Sequence, residues 1–284
     1  MAGFANVAQL AAANAAGRTH TCSLRKVPSQ ASVAGGWADL SMAAGNPKPQ
    51  YYAATPLAAA VLDGFDGIFH GDAKTPASKH LTAIGLVTPT AAMVGRYILC
   101  DYLMFYPFVD GDSLDTQVMD NTVTLPRYTD GDGVRVMAVA SAPTTGGGAF
   151  TFDYVDQAGV ARTSPVINCN TTAANIAALV TAQQAVAAGG QFFLPLTGGS
   201  TGVRSITSAT FTSASGGLVA LVLVKPLLEI AVREINTMNE IECVRMRPGA
   251  PRIYDGAYLN LIANPAGSIA AGQLAGYAKF AWSE

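Results

Sequence analysis

GVRSITSATFTSASGGLVALVLVKP, from Gly202 to Pro226, joins two unlike runs through a glycine turn. In the first run Val203, Ser205, Thr207, Ala209 and Phe211 share one face of an extended chain. Arg204, Ile206, Ser208, Thr210 and Thr212 share the other, the period-two pattern of a strand with one face partly wet. Ser213-Ala-Ser-Gly-Gly217 then reverses the chain. The second run, Leu218 to Val224, is apolar at every position and mostly branched, which suits a strand buried on both faces better than a short helix. The pattern predicts a hairpin whose second arm is covered by the rest of the chain.

Outward from this stretch, most of the sequence reads as short strands. Arg96 to Val109 is the most aromatic run and fits a strand buried over most of its course, with Pro107 marking an edge or a bulge. Leu81 to Val87, Val123 to Leu125, Val134 to Ala140, Ala149 to Val155 and Val160 to Ile167 are further strands, and Asp156-Gln-Ala-Gly159 turns the last two into a hairpin. Leu227 to Arg233, Met238 to Met246, Ala257 to Ala263 and Leu274 to Trp282 follow, separated by Asn, Pro and Gly. One interior helix is predicted over residues 171–188, capped by Asn170 or Thr171, lined by Ile176, Leu179, Val180 and Val186, and stopped by Gly189-Gly190. Residues 1–17 show helical spacing of Phe4, Val7, Leu10 and Ala11 before Gly17. From Arg18 to Thr55 no period holds, and repeated Pro and Gly imply an extended arm whose Trp37, Tyr51 and Tyr52 pack on its own body or on a neighbour.

Strands recurring with turn chemistry between them give a mainly β chain, a jelly roll or β-sandwich with an amino-terminal arm and one interior helix. The expected division is a helix and arm over 1–55, a main β body over 56–133 and 226–284, and an inserted β-plus-helix subdomain over 134–225.

Only 13% of the 284 residues are charged, against about 25% in ordinary globular domains. A surface so sparing in charge suits a protein that hides much of its exterior against neighbours. The net charge of −2 offers no basic field for nucleic acid. Met1 to Gly17 has no basic segment ahead of an apolar one, and no run approaches the ~18 apolar residues of a membrane span. The four cysteines, Cys22, Cys100, Cys169 and Cys243, are scattered without metal-type spacing and read as buried free thiols.

Chemistry-bearing patterns are sparse. Asp63/Asp66, Asp110/Asp112 and Asp130-Gly-Asp-Gly133 place carboxylates in glycine turns, but lack the closing Glu of a calcium loop and read as turns. His20, His70 and His80 lack a ligand spacing for zinc. Cys100, His80 and Asp101 supply the residue types of a nucleophilic triad without a nucleophile elbow. Gly198 to Ser205 lacks the Lys of a phosphate loop. Asn170-Thr-Thr172 matches a glycosylation acceptor but serves the helix cap. Arg245, Arg247 and Arg252, with Glu229, Glu234, Glu240 and Glu242 nearby, form either a solvated sheet edge or an intersubunit ion-pair network. No catalytic, cofactor or metal residue is assigned.

The Ala/Gly/Thr-rich texture, the arm, the many short strands and the segments Leu218 to Pro226 and Arg252-Ile-Tyr-Asp-Gly-Ala-Tyr-Leu-Asn-Leu261 resemble virion structural proteins of tailed bacteriophages, above all head auxiliary or decoration proteins. That resemblance implies a non-enzymatic protein without cofactor, present in repeated copies in the virion, whose partners are copies of itself and other capsid proteins rather than nucleic acid or membrane. The arm would lie across a neighbouring subunit. The competing expectation is a carbohydrate-binding or hydrolytic β-sandwich using Trp37, Tyr102, Tyr106 and Asp110.

Overall fold

The computed structural model describes residue 4 and residues 6–75, 77–170, 174–181, 192–245, 249–270 and 272–283. The described chain is mainly β and forms three antiparallel sheets. Strands are numbered in chain order. The central sheet runs β2 (Ala38–Asp39), β16 (Tyr258–Pro265), β6 (Gly95–Asp110), β13 (Leu218–Val232) and β8 (Arg135–Ala140), with β4 (Ala60–Val61) also on β6. One flanking sheet runs β14 (Asn239–Glu242), β5 (Lys79–Val87), β17 (Leu274–Trp282), β1 (Thr19–Val27) and β3 (Ala44–Asn46), with β15 (Arg252–Ile253) also on β5. The other runs β10 (Ala161–Thr163), β9 (Ala149–Asp156), β12 (Val203–Ser213) and β7 (Gln117–Val118), with β11 (Ile167–Asn168) on β9.

The two long strands β6 and β13 organise these layers, because alternation gives each of them two apolar faces. On one face, Tyr97 and Leu99 of β6 and Leu228, Ile230 and Val232 of β13 pack against Leu81, Ile84, Leu274 and Phe280 of the first flanking sheet. Further along that face, Leu103 and Tyr106 of β6 and Val219, Leu221 and Leu223 of β13 pack against Phe150, Phe152, Ile206 and Phe211 of the second. The opposite face carries Ile98, Cys100, Tyr102, Phe105, Ala220, Val222 and Val224, which share a third core with Trp37, Tyr52 and Leu179. Bulges keep these faces aligned. Leu223 pairs with Met104 but Val224 with Tyr102, and Pro226 pairs with Cys100 but Leu228 with Leu99, so an extra residue in β6 is followed by one in β13. Pro226, which has no N–H to donate, sits at the second of these shifts. Pro107 marks another bulge, as its sequence position predicts, with Phe108 at φ 58°.

The runs at 203–213 and 218–232 do not form the hairpin read from sequence. β12 pairs with β9 and β7, whereas β13 pairs with β6 and β8. They stack face to face across a core instead, because both offer apolar faces and burying those outweighs a local ladder. The chain turns the corner at Gly216 and Gly217, both at φ 68°, where Ser215 N–H donates to Gly111 O and Gly111 N–H to Gly217 O.

The interior helix is the second correction. Residues 171–173 and 182–188 lie outside the described residues, but residues 174–181 form turns and isolated bridges. Ala177 and Val180 donate to Ala140 O and Ala138 O of β8, while Asp39 of β2 donates to Ala177 O and Leu179 donates to Trp37 O. Residues 177–180 therefore pair with both margins of the central sheet and close it into a small barrel. Ala177 and Leu179 face its interior, and Ala178 and Val180 face the second flanking sheet. Helix propensity is weak beside two rows of unpaired backbone groups that need partners.

The amino-terminal helix α1 (Val7–Ala15) forms as expected, with Asn6 Oδ1 accepting from Gln9 N–H. The stretch read as an arm packs on its own body. β1 lies between β17 and β3, and Trp37 and Tyr52 are buried in the barrel core. Val123 to Leu125 is not a strand, and Val160 to Ile167 splits into β10 and β11 around Pro165.

Candidate functional site

Where the flanking sheets meet over the central one, Asp101 takes a position on β6 between Leu99 and Leu103 and is fully buried. A carboxylate there needs partners, since burying it alone costs several kcal/mol. Arg127, 7% exposed, supplies them: Nε donates to Asp101 Oδ2 (3.0 Å) and Nη2 to Oδ1 (2.8 Å) and to Tyr102 O (3.0 Å). Tyr258 N–H also donates to Asp101 Oδ1 (3.0 Å). Burial raises the Asp101 carboxyl to about 6 against the opposing pull of Arg127.

Arg127 lies in the wall of a cleft of about 400 Å³ lined further by Asp63, Thr75, Lys79, Arg252, Tyr254, Asp255 and Gly256. Lys79, at the start of β5, is buried, and its Nζ donates to Gly71 O (3.0 Å), Asp72 O (3.0 Å) and His70 Nδ1 (2.9 Å). His70 Nε2–H therefore donates to Ala257 O (3.0 Å), the tautomer that leaves Nδ1 free to accept. Burial, reinforced by the Lys79 ammonium, lowers His70 to about 4. Asp255 accepts from Lys74 N–H (2.9 Å), Thr75 N–H (3.0 Å) and Thr75 Oγ1 (2.5 Å), and lies 3.6 Å from Lys79 Nζ. Arg252 reaches over the ring of Tyr254, 4.6 Å from its centroid.

A second buried polar cluster fills the barrel. Asp39 accepts from Ser41 N–H (2.8 Å), Ser41 Oγ (2.6 Å), Tyr52 Oη (2.5 Å) and Tyr102 Oη (2.7 Å). Burial still raises its carboxyl above the usual range. Lys26, equally buried, donates to Ala43 O (3.2 Å) and Pro47 O (2.8 Å), and burial lowers it to about 8 despite the nearby Asp39. These groups satisfy one another and specify packing, and the pocket that reaches Asp39 is only about 80 Å³.

No protein-family model matches the chain, and no curated protein or solved structure is significantly similar to it. The site therefore rests on geometry alone.

The residues singled out by sequence are dispersed. Cys100 points into the barrel, Asp101 points to the opposite face toward Arg127, and His80 Nδ1 lies 3.2 Å from Ala250 O, so the paper triad does not assemble. His20 packs between Phe69 and Phe280. Asp66 pairs with Lys48, Asp110 accepts from Asp112 N–H and Asp130 from Asp132 N–H, the last two being ordinary turn bonds. Among the described residues no group of three or more His, Cys, Asp or Glu could hold a metal. Asn170 donates from Nδ2 to Leu179 O and is buried, while Thr171 and Thr172 lie outside the described residues. Trp37 and Tyr102 belong to the barrel core and Tyr106 to the second sandwich core, so with Asp110 they make no exposed aromatic platform. Glu229 pairs with Arg96, Arg252 enters the cleft, and Arg247 lies outside the described residues. Arg127 and Lys79 were missed. Their signal was a charge beside or inside an apolar run in a chain that spends few charges.

Proposed function

We propose that this chain is a non-enzymatic structural protein of a phage particle, a capsid-associated auxiliary or decoration protein that works through subunit contacts with its own copies and with other capsid proteins. The observation that carries the reading is where the few charges go. Lys26, Asp39, Lys79, Asp101, Arg127 and Asp156 are all buried, which withholds six of the chain's 36 charged side chains from its exterior. Val7, Tyr51, Leu114, Val118 and Val166 are each more than half exposed. The outer face of the second flanking sheet is rich in hydroxyls: Thr116 bonds to Thr210, and its carboxylate Asp153 is held by Ser208 (2.7 Å) and Thr163 (2.6 Å). Hydroxyls that already bond within the face leave fewer polar groups to be paired afresh when another protein covers it.

Light scattering after size exclusion tests this directly. The expected mass exceeds the 29.2 kDa of one chain, and Val118→Lys or Thr210→Lys on the hydroxyl face lowers it without changing the far-ultraviolet spectrum. A chain that stays monomeric and hydrolyses glycosides, with the activity lost in Asp110→Asn, overturns the proposal in favour of a carbohydrate-active sandwich.

A further inference from the structure

The cleft between the central and first flanking sheets has a specific hydrogen-bonding imbalance. Its carboxylate Asp255 is already held by Lys74, Thr75 and Lys79. Lys79 in turn has its protons engaged by Gly71 O, Asp72 O and His70 Nδ1. Arg127 is different. Nε and Nη2 are used by Asp101 and Tyr102 O, whereas Nη1 has no partner among the described residues. A guanidinium has five N–H donors, so two remain on a side chain that is only 7% exposed and lines the cleft. At the rim Arg252 is exposed and forms no ion pair among the described residues, its guanidinium lying on Tyr254.

The space in front of Nη1 is kept by a glycine. An ideal Cβ on Gly256 would have Arg127 Nη1, at 3.5 Å, as its sole neighbour within 4 Å. The backbone there is not left-handed, so glycine is not required by conformation. What glycine preserves is the opening onto the buried guanidinium.

We propose that this cleft is a binding site for a carboxylate, seated on Arg127 Nη1 and clamped from the rim by Arg252. The guanidinium fork is spent on Asp101, so the carboxylate meets Nη1 end-on and takes its second charge-assisted bond from Arg252. A single negative charge suits the site better than a phosphate dianion, because Asp63 and Asp255 share the lining. The volume of about 400 Å³ falls in the range of small-ligand pockets, ~300–1,000 Å³. The carboxylate belongs either to a small organic acid or to an acidic side chain of a neighbouring copy, and only the second source depends on the assembly reading above.

The test follows the Gly256 amide and Arg127 Nε resonances of ¹⁵N-labelled protein during titration with acetate, succinate and glucuronate, sodium chloride holding the ionic strength constant. Saturable shifts are expected with the carboxylates and not with chloride. Gly256→Asp places an internal carboxylate before Nη1 without backbone strain and abolishes them. Arg252→Gln weakens binding by about tenfold, the usual worth of one charge-assisted contact. If the free acids give no saturable shift but Gly256→Asp changes the mass of the assembled protein, the carboxylate comes from a neighbouring chain. If Gly256→Asp alters neither readout, or chloride reproduces the shifts, the site is refuted. A light-scattering mass of one chain together with saturable acid binding leaves the site standing while removing the assembly reading.

Discussion

Replacing Arg127 with Met tests the buried pair at the seam. Met keeps much of the apolar stem, so the change removes mainly the bonds to Asp101 and to Tyr102 O. Asp101 keeps the donor Tyr258 N–H and stays fully buried. Breaking such a pair from one side costs about 3–5 kcal/mol at neutral pH, on the order of 10 °C in Tm for a chain of this size. The pH dependence supplies an internal control. Asp101 has a folded pKa of about 6 against 3.8 for a free aspartate, so its contribution to stability is full below the lower value and is lost as pH rises through the higher. Without Arg127 the folded pKa rises further, and the deficit of Arg127→Met shrinks as pH falls from 7 toward 5. Arg127→Met combined with Asp101→Leu, which removes both charges, recovers most of the loss at pH 7. Urea unfolding followed by the fluorescence of the buried Trp37 measures all three proteins. A single variant within ~1 kcal/mol of the parent at pH 7, or a double variant no more stable than the single, would refute the account of the pair as mutually dependent buried charges.

His70 gives the opposite pH sign: a folded pKa of about 4 against 6.5 means stability is present above 6.5 and lost as pH falls toward 4, by about 3 kcal/mol for a shift of this size. His70→Asn, which keeps an acceptor for Lys79, flattens that portion of the curve in urea melts at pH 7, 5.5 and 4.5. Gly45→Ala forces a Cβ to within 2.0 Å of Arg25 O at φ 131°, and is expected to cost about 1–3 kcal/mol and to speed hydrogen exchange where β3 meets β1, around Val27 and Gly45. The thiols of Cys22 and Cys169 are pushed up to about 11 and Cys243 to about 12 by burial, with Cys100 higher still, so a disulfide reagent at pH 8 labels them slowly until denaturant is added. Fast reaction of the native protein with any of them contradicts this packing.

The sequence carried the strands better than their pairing. Arg96 to Val109 and Leu218 to Val224 announce themselves because continuous branched and aromatic runs suit burial on both faces, and both are strands of the central sheet. Which strand lies beside which is a long-range matter: β12 and β13 are adjacent in sequence yet belong to different sheets, since two apolar faces gain more by stacking than by extending one ladder. The helix read over 171–188 failed in its described part for the same reason, as Ala177 to Val180 answer the hydrogen-bonding needs of β2 and β8 rather than their own propensity. The cleft was hidden because its lining comes from residues as distant as Asp63, Lys79, Arg127 and Arg252. A charge embedded in an apolar strand, such as Asp101, told that a partner must exist without telling where. The hydroxyl face was half legible, in the alternation of β12.

With residues 177–180 seated against both β2 and β8, the two margins of the middle layer are occupied among the described residues and are closed to a visiting strand there. Any lateral joining of molecules through main-chain bonds would then begin at the outer layers, along β3, β7, β10 or β14, where the ladders end. A particle built from such units would grow by its flanks and leave the barrel intact, so mechanical load passed between neighbours would reach the flanking sheets before it reached the staves.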